Sequence, residues 1–460
     1  MRAKGGALLT TLVLACGSEA PLRATADGGH DALAEAASLD GGACPASNDV
    51  FCNGFCQPES VNACGARCAV CPQPASSHGQ SACADGTCQF HCDGGYASCG
   101  NQSCCGAQTT GDVLALAVGG DTTCGLTTAG AVSCWGDGAY GALANGSTGG
   151  RSLVPLPCAQ LAFGVTAVAL GGHHGCALRN TGEVLCWGDD EQGQLGDGLN
   201  IPTSTPHPPQ GLVTTVAHVA TGGSHTCVVT TGGAAYCWGD NTSGQLGSSS
   251  ASSQSSAPVA VTGLASGVSA IAAGGAFTCA LLGTGQLVCW GDGSRGQLGG
   301  STSSNAPVAV PLPAPVKAIA AGANHACALA QSGSVLCWGA DDKNQLGSSK
   351  ASAHPAPLTV PGLAGITAIA AGGDETCAVN AVGAVSCWGQ DPLGDVVPAP
   401  AGPGVVPSLA GGAASIGVTG GHACAVTVGG APKCWGTNAN GNLGDGTTTA
   451  SWVPIDVTGI

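Results

Sequence analysis

The sequence predicts an all-β protein, a seven-bladed β-propeller of about 50-residue repeats preceded by a small disulfide-rich module. Three observations predict it. Seventy-nine Gly and 26 Pro among 460 residues exclude a bundle of long helices, because both residues interrupt helix interiors. A hydrophobic content of 44% implies burial rather than disorder. Most decisively, a Cys-Trp-Gly strand recurs seven times after residue 111, and a fixed period of this length signals a repeat architecture.

Taken in order, the chain opens with Arg2 and Lys4 ahead of a short apolar run over 7–15, which ends in Val13-Leu14-Ala15-Cys16. This has the form of a signal peptide (1–15) and is too short for a permanent membrane span. It resembles the lipobox of bacterial lipoproteins, and that resemblance implies cleavage before Cys16 and lipidation of the Cys16 thiol. Gly17-Ser18, with no Asp directly after the cysteine, is similar to an outer-membrane sorting signal. Residues 16–43 are rich in Ala, Gly and Asp without periodicity and read as a flexible tether. Export places the 28 cysteines where disulfides form and persist.

Twelve of those cysteines lie between Cys44 and Cys105. A segment this short, with few large apolar side chains, cannot build an adequate core unaided, so disulfides are the expected constraint, with connectivity left open. Cys68-x2-Cys71, and Cys88-x3-Cys92 with His91 inside, have zinc-like spacing. The oxidised reading is preferred in an exported chain, and the module is read as a stalk or adhesive spacer.

From 112 to 460 the repeats pair Cys124 with Cys134 and Trp135, Cys176 with Cys186 and Trp187, Cys227 with Cys237 and Trp238, and Cys279 with Cys289 and Trp290. They continue as Cys327 with Cys337 and Trp338, Cys377 with Cys387 and Trp388, and Cys424 with Cys434 and Trp435. Each unit reads as a small-residue strand ending in Gly-Gly, then two short strands joined through a Gly-containing turn. The two cysteines face each other across that hairpin at a separation suited to a cross-strand disulfide. Ala and Gly suit the crowded inner strands of a propeller, while one Trp per unit fills the widening space between blades. An open solenoid would need atypical capping repeats. Neither end has one. The final segment (452–460) matches what precedes an inner strand elsewhere, and the first inner strand lacks such a predecessor, so the ring is expected to close.

The stretches GDDEQGQLGDG (188–198), GDNTSGQLG (239–247), GSRGQLG (293–299) and GNLGDGT (441–447) follow the Trp strand. Together with GGSHTCVVT (222–230) and GANHACALA (322–330), they resemble the repeats of the regulator of chromosome condensation family. The resemblance implies a seven-bladed propeller. Blades 1 (GALANG, 141–146) and 6 (QDPLGD, 390–395) depart from the pattern. It also implies guanine-nucleotide exchange and chromatin binding, both contradicted here by the export signal and a net charge of −16. The propeller-type bacterial inhibitor of β-lactamase is a closer functional analogue. No Lys/Arg cluster exists to neutralise phosphates, so nucleic acid is excluded as a partner, and the membrane is reached only through the Cys16 anchor.

The candidate sites each have a bland reading. His174, His225, His325 and His422 stand two residues before the first cysteine. They could form a metal ring, but four ligands would have to converge from all sides of the propeller, so turn stabilisation is favoured. Asp137, Asp189, Asp240 and Asp292 are read as turn-forming. Asp189-Asp190 and Asp341-Asp342 lack EF-hand spacing. His173, Arg179, Phe277, Asp374 and Glu375 are blade-specific but scattered. Cys158 has no repeat partner and is expected free and buried. No catalytic, cofactor or metal residues are assigned. The sequence therefore reads as an exported, outer-membrane-anchored, monomeric and non-catalytic module that binds a protein or glycan. The alternatives are a polysaccharide hydrolase or lyase at the channel mouth, and a structural spacer.

Overall fold

The computed structural model describes residues 112–460, except 213, 250–251, 301, 348–352 and 391–401, together with the backbone of six short strands between 49 and 105. The signal peptide, Cys16 and the tether fall outside the described residues, as do the side chains of the Cys-rich module. Within that module Asp49–Cys52 pairs with Phe55–Pro58, Gly79–Ala84 with Thr87–Cys92, and Ala97–Ser98 with Cys104–Cys105.

From Asp112 onward the chain forms seven four-stranded sheets whose strands follow one another in chain order. Blade 1 runs Val113–Gly119, Thr122–Thr127, Val132–Asp137 and Arg151–Pro157. Blade 2 runs Val165–Leu170, His174–Arg179, Val184–Gly188 and Thr203–His207. The inner strands of blades 3 to 7 are Val216–Thr221, Val268–Ala273, Val316–Ala321, Ile366–Gly372 and Ala413–Val418. The all-β seven-bladed propeller is therefore as the sequence predicts. In every blade the two signature cysteines are register partners in the second and third strands. Their sulfurs lie 2.02–2.13 Å apart. The Cα atoms are 4.0–4.1 Å apart, as in the close, non-hydrogen-bonded type of antiparallel pair.

The core is not central. Among the described residues it divides into seven apolar clusters, one per joint between neighbouring blades, and each takes its Trp from the following blade. Trp187 of blade 2 packs with Leu126, Val132 and Leu143 of blade 1. Trp238, Trp290, Trp338, Trp388 and Trp435 repeat this around the ring. Trp135 of blade 1 packs with Val426, Leu443 and Val457 of blade 7, which closes it. The last outer strand, Ser451–Asp456, pairs within its own blade, so closure is by packing rather than by strand exchange. Val457 lies in that joint, and a Cβ on Gly125 would meet Ile460 Cδ1 at 2.5 Å.

Cys158 is a buried free thiol. Its backbone N–H donates to Val132 O, the same third-strand bond that Val261, Val310, Val360, Val406 and Val457 make in other blades. It fills a valine slot, and burial pushes its pKa up to about 12.

Candidate functional site

The antiparallel register fixes which loops share a face. His174 opens the second strand opposite Gly188 at the close of the third, so the Gly-Gly turns and the Gln-Leu-Gly loops lie at one end of the ring. A channel of about 620 Å³ opens there, lined by the Gly-Gly turns and by Asp121, His173 and Thr437. Its walls cannot take larger residues. A Cβ on Gly171 would meet Gly222 O at 2.4 Å, and one on Gly222 would meet Gly274 O at 2.4 Å.

The glutamine of each Gln-Leu-Gly turn organises this end. In blade 2, Gln194 Oε1 accepts from Gln192 N at 2.9 Å, and its Nε2 donates to Asp189 Oδ2 at 2.8 Å. Gln245 and Gln297 repeat both bonds, with Asp240 and Asp292 as acceptors. The backbone carbonyl of the same residue accepts the indole N–H of the next blade's Trp, at 2.8–2.9 Å for Trp238, Trp290, Trp338 and Trp388. One side chain thus holds the loop, and one backbone oxygen holds the neighbouring blade.

The four repeat histidines join blades rather than stabilise turns, which corrects the sequence reading. Nε2 of His174, His225, His325 and His422 lies 2.7–2.9 Å from Oγ1 of Thr226, Thr278, Thr376 and Thr123 in the next blade. Each threonine hydroxyl is itself directed at a carbonyl: Gln194, Gln245, Gln345 and Asn442 respectively. Having given up its one proton, the hydroxyl can only accept from the ring, so Nε2 carries the hydrogen and Nδ1 is bare. Burial holds these imidazoles neutral, with pKa values down at about 3 for His174 and about 4 for the other three. Where the histidine is replaced, the threonine is replaced too: Phe277 is followed by Ala326, Glu375 by Ala423 and Thr122 by Gly175. Phe277 and Ala326 share one apolar cluster.

Departures from the repeat sit around the mouth. In blade 1 the glutamine is Ala142. Tyr140, which corresponds to Gln192, turns to φ 59, and its ring stands 5.6 Å from the His173 ring. In blade 5 the Asp of Trp-Gly-Asp is Ala340, and Gln345 reaches instead to Asp374 of blade 6 at 3.2 Å. Burial first, then Asp342, raises the Asp374 pKa. In blade 2 the buried Asp190 accepts from Leu195 N and Ile201 N. Blades 3 and 7 carry Asn241 and Asn438 there and repeat the leucine contact. Burial and the neighbouring Asp197 push the Asp190 pKa up to about 6, and Asp197 itself pairs with His207 at 2.8 Å.

Of the blade-specific residues flagged from sequence, only His173 and Asp374 come to the mouth end. Arg179 sits at the far end of its strand with Glu183 and Gln160 O. Phe277 and Glu375 are buried. Glu375 approaches Cys377 and Cys387, but those sulfurs form a disulfide and offer no thiolate to a metal. Tyr140 was missed, Ala142 stood out only within the departing GALANG stretch, and Asp190 only as half of an acid pair. Aligning each repeat position by position, rather than by its Cys-Trp-Gly signature, brings out all three.

Residues 162–460 match the family described as the RCC1-like domain. The chain is 32% identical over 215 residues to the mitochondrial RCC1 domain-containing protein RUG3 of Arabidopsis thaliana, covering 44% of this chain and 47% of that protein. It is 34% identical over 176 residues to the probable E3 ubiquitin-protein ligase HERC6 of Homo sapiens, covering 37% of this chain and 17% of that protein. It thus spans less than half the length of these relatives. Among solved structures, human WBSCR16 superposes with a TM-score of 0.64 at 22% identity, covering 72% of this chain and 94% of that one. Prp20p of Saccharomyces cerevisiae, a protein described with binding properties to Gsp1p and histones, gives 0.63 at 22%, covering 73% and 87%.

Proposed function

The chain belongs to the RCC1-like domain family, and from that premise we propose an exported, membrane-tethered propeller that binds a protein through its Gly-Gly end without catalysing a reaction. The observation that carries this reading is the segregation of charge. The Gly-Gly end presents Asp121, Asp189, Glu191, Asp240, Asp292 and Asp374, all at least partly exposed. Against them stand Arg151, Arg295 and Lys343, of which Arg151 is held by Ala439 O and Arg295 by Asp342. The opposite end presents the short hairpin turns, with Val382 and Val428 71% and 78% exposed. A rigid acidic rim attracts and orients a basic protein surface, and pre-ordered loops lose little entropy on binding. The protein interactions named for Prp20p support a protein rather than a glycan partner.

Immobilised full chain is expected to retain, from outer-membrane and culture extracts, a protein that saturates the column and elutes with salt. A D121N/E191Q/D374N variant should lose it. Equal retention by the variant, or no saturable retention by the parent chain, overturns the reading. Tethering is checked separately: labelled palmitate should enter the chain at Cys16 and be absent from C16S.

A further inference from the structure

We propose that blade 1 carries a site for a single cationic side chain, a guanidinium or an ammonium, held by Asp137 and the ring of Tyr140. One position differs between blade 1 and the other repeats. In blades 2, 3 and 4 the carboxylate after Trp-Gly has both oxygens engaged. One accepts a backbone N–H two residues on, and the other accepts the glutamine Nε2. In blade 1, Asp137 Oδ1 still accepts from Ala139 N at 3.1 Å, but Ala142 has no amide to offer Oδ2. The same substitution removes the acceptor that caps the backbone N–H of Gln192, Ser243, Arg295 and Lys343 in the other blades. Tyr140 occupies that uncapped position at φ 59, in the left-handed region that a bulky residue rarely adopts.

The two consequences of Ala142 meet in one hollow. Asp137 and Tyr140 line a surface depression of about 600 Å³ with Thr148, Gly149, Gly150 and Pro202. A carboxylate with an open oxygen and an aromatic ring lining the same hollow suit a cation, which gains a charge-assisted hydrogen bond from the first and ring attraction from the second. Arg151, the cation across the strand from Asp137, is turned away to Ala439 O at 2.9 Å. The site rests on the protein-binding reading only in that the cation would be a side chain of the partner.

Three tyrosines in the chain make tyrosine-labelled NMR a direct readout, with Y140F assigning the signal. Titration of the full chain with N-acetylarginine amide is expected to shift the Tyr140 ring resonances saturably, whereas the uncharged citrulline counterpart leaves them in place. A142Q restores the repeat glutamine and should weaken the titration about ten-fold, as should D137N, each by loss of one charge-assisted contact. No Tyr140 shift, an equal shift with the citrulline compound, or unchanged affinity in a folded A142Q each overturns the proposal. The arginine–citrulline comparison needs no variant, and it needs no protein partner. Loss of the titration with protein capture intact removes this site alone, and the converse removes the broader reading alone.

Discussion

Blades 1 and 2 share a backbone plan and differ at three positions that decide what each can do. Blade 2 has Gln194, so Asp189 is held within the loop. Blade 1 has Ala142, so the matching carboxylate oxygen is open. Blade 2 is latched to blade 3 through His174 and Thr226, whereas Thr122 of blade 1 faces a joint in which Gly175 replaces the threonine. A Cβ at Gly175 would lie 2.6 Å from the Trp187 ring. Finally, blade 2 buries Asp190 where blade 1 has Gly138. The contrast teaches that the repeat's polar residues are structural wherever the set is complete, and that chemistry becomes available where one member is missing.

The largest expected effect concerns the latches. A histidine held neutral in the native state near pKa 3–4 but titrating near 6.5 when unfolded binds fewer protons folded than unfolded. Its stabilisation is therefore present above pH 6.5 and is lost as pH falls toward 4. At pH 5 the loss is about 2 kcal/mol per histidine, or about 8 kcal/mol for four. Denaturant unfolding at pH 7.5 and 5.0 should show it. Giving one joint the blade 4–5 pair, as H225F/T278A, should remove about a quarter of the dependence. A pH-flat stability would break the contrast between latched and unlatched joints.

The joint between blades 1 and 2 lacks a latch, so its Trp carries more of the burden. W187A should cost about 3–5 kcal/mol, as expected for a fully buried large side chain, and thermal unfolding would report it. A smaller effect is expected at Asp190. Its raised pKa means that the folded state binds the extra proton, so its contribution is present below about pH 4 and is lost as pH rises through about 6. D190N, the choice of blades 3 and 7, should stabilise the protein by about 1–2 kcal/mol at pH 7.5 and leave stability at pH 3.5 nearly unchanged. The smallest effect is expected at the loop glutamine of blade 3. Q245A in blade 3 should cost about 1 kcal/mol and leave Asp240 Oδ2 with Thr242 Oγ1 as its remaining donor. Without an aromatic ring beside it, blade 3 should then bind N-acetylarginine amide more weakly than blade 1.

The seven-bladed fold was legible because it rests on period, Gly density and one Trp per unit, all of which survive in one dimension. The histidines were visible as a set, but their role was not. Three latches pair residues about 50 positions apart in neighbouring blades, the fourth joins His422 to Thr123 across the ring closure, and no local pattern links His174 to Thr226. Tyr140 was hidden for a different reason. Its significance lies in the amide that Ala142 lacks: GALANG stands out as a departure, but the hydrogen bonds it forgoes show only in the folded loop. Cys158 shows the converse: an odd cysteine in the sequence proves to stand in a slot that five other blades fill with valine.

Binding through the Gly-Gly end, with blade 1 as its point of contact, is read by amide hydrogen exchange on the full chain, free and bound to the captured protein. Protection is expected in residues 137–150 and 188–202, with little change in the hairpin turns near Val382 and Val428. Protection confined to those turns, with 137–150 unchanged, would contradict it.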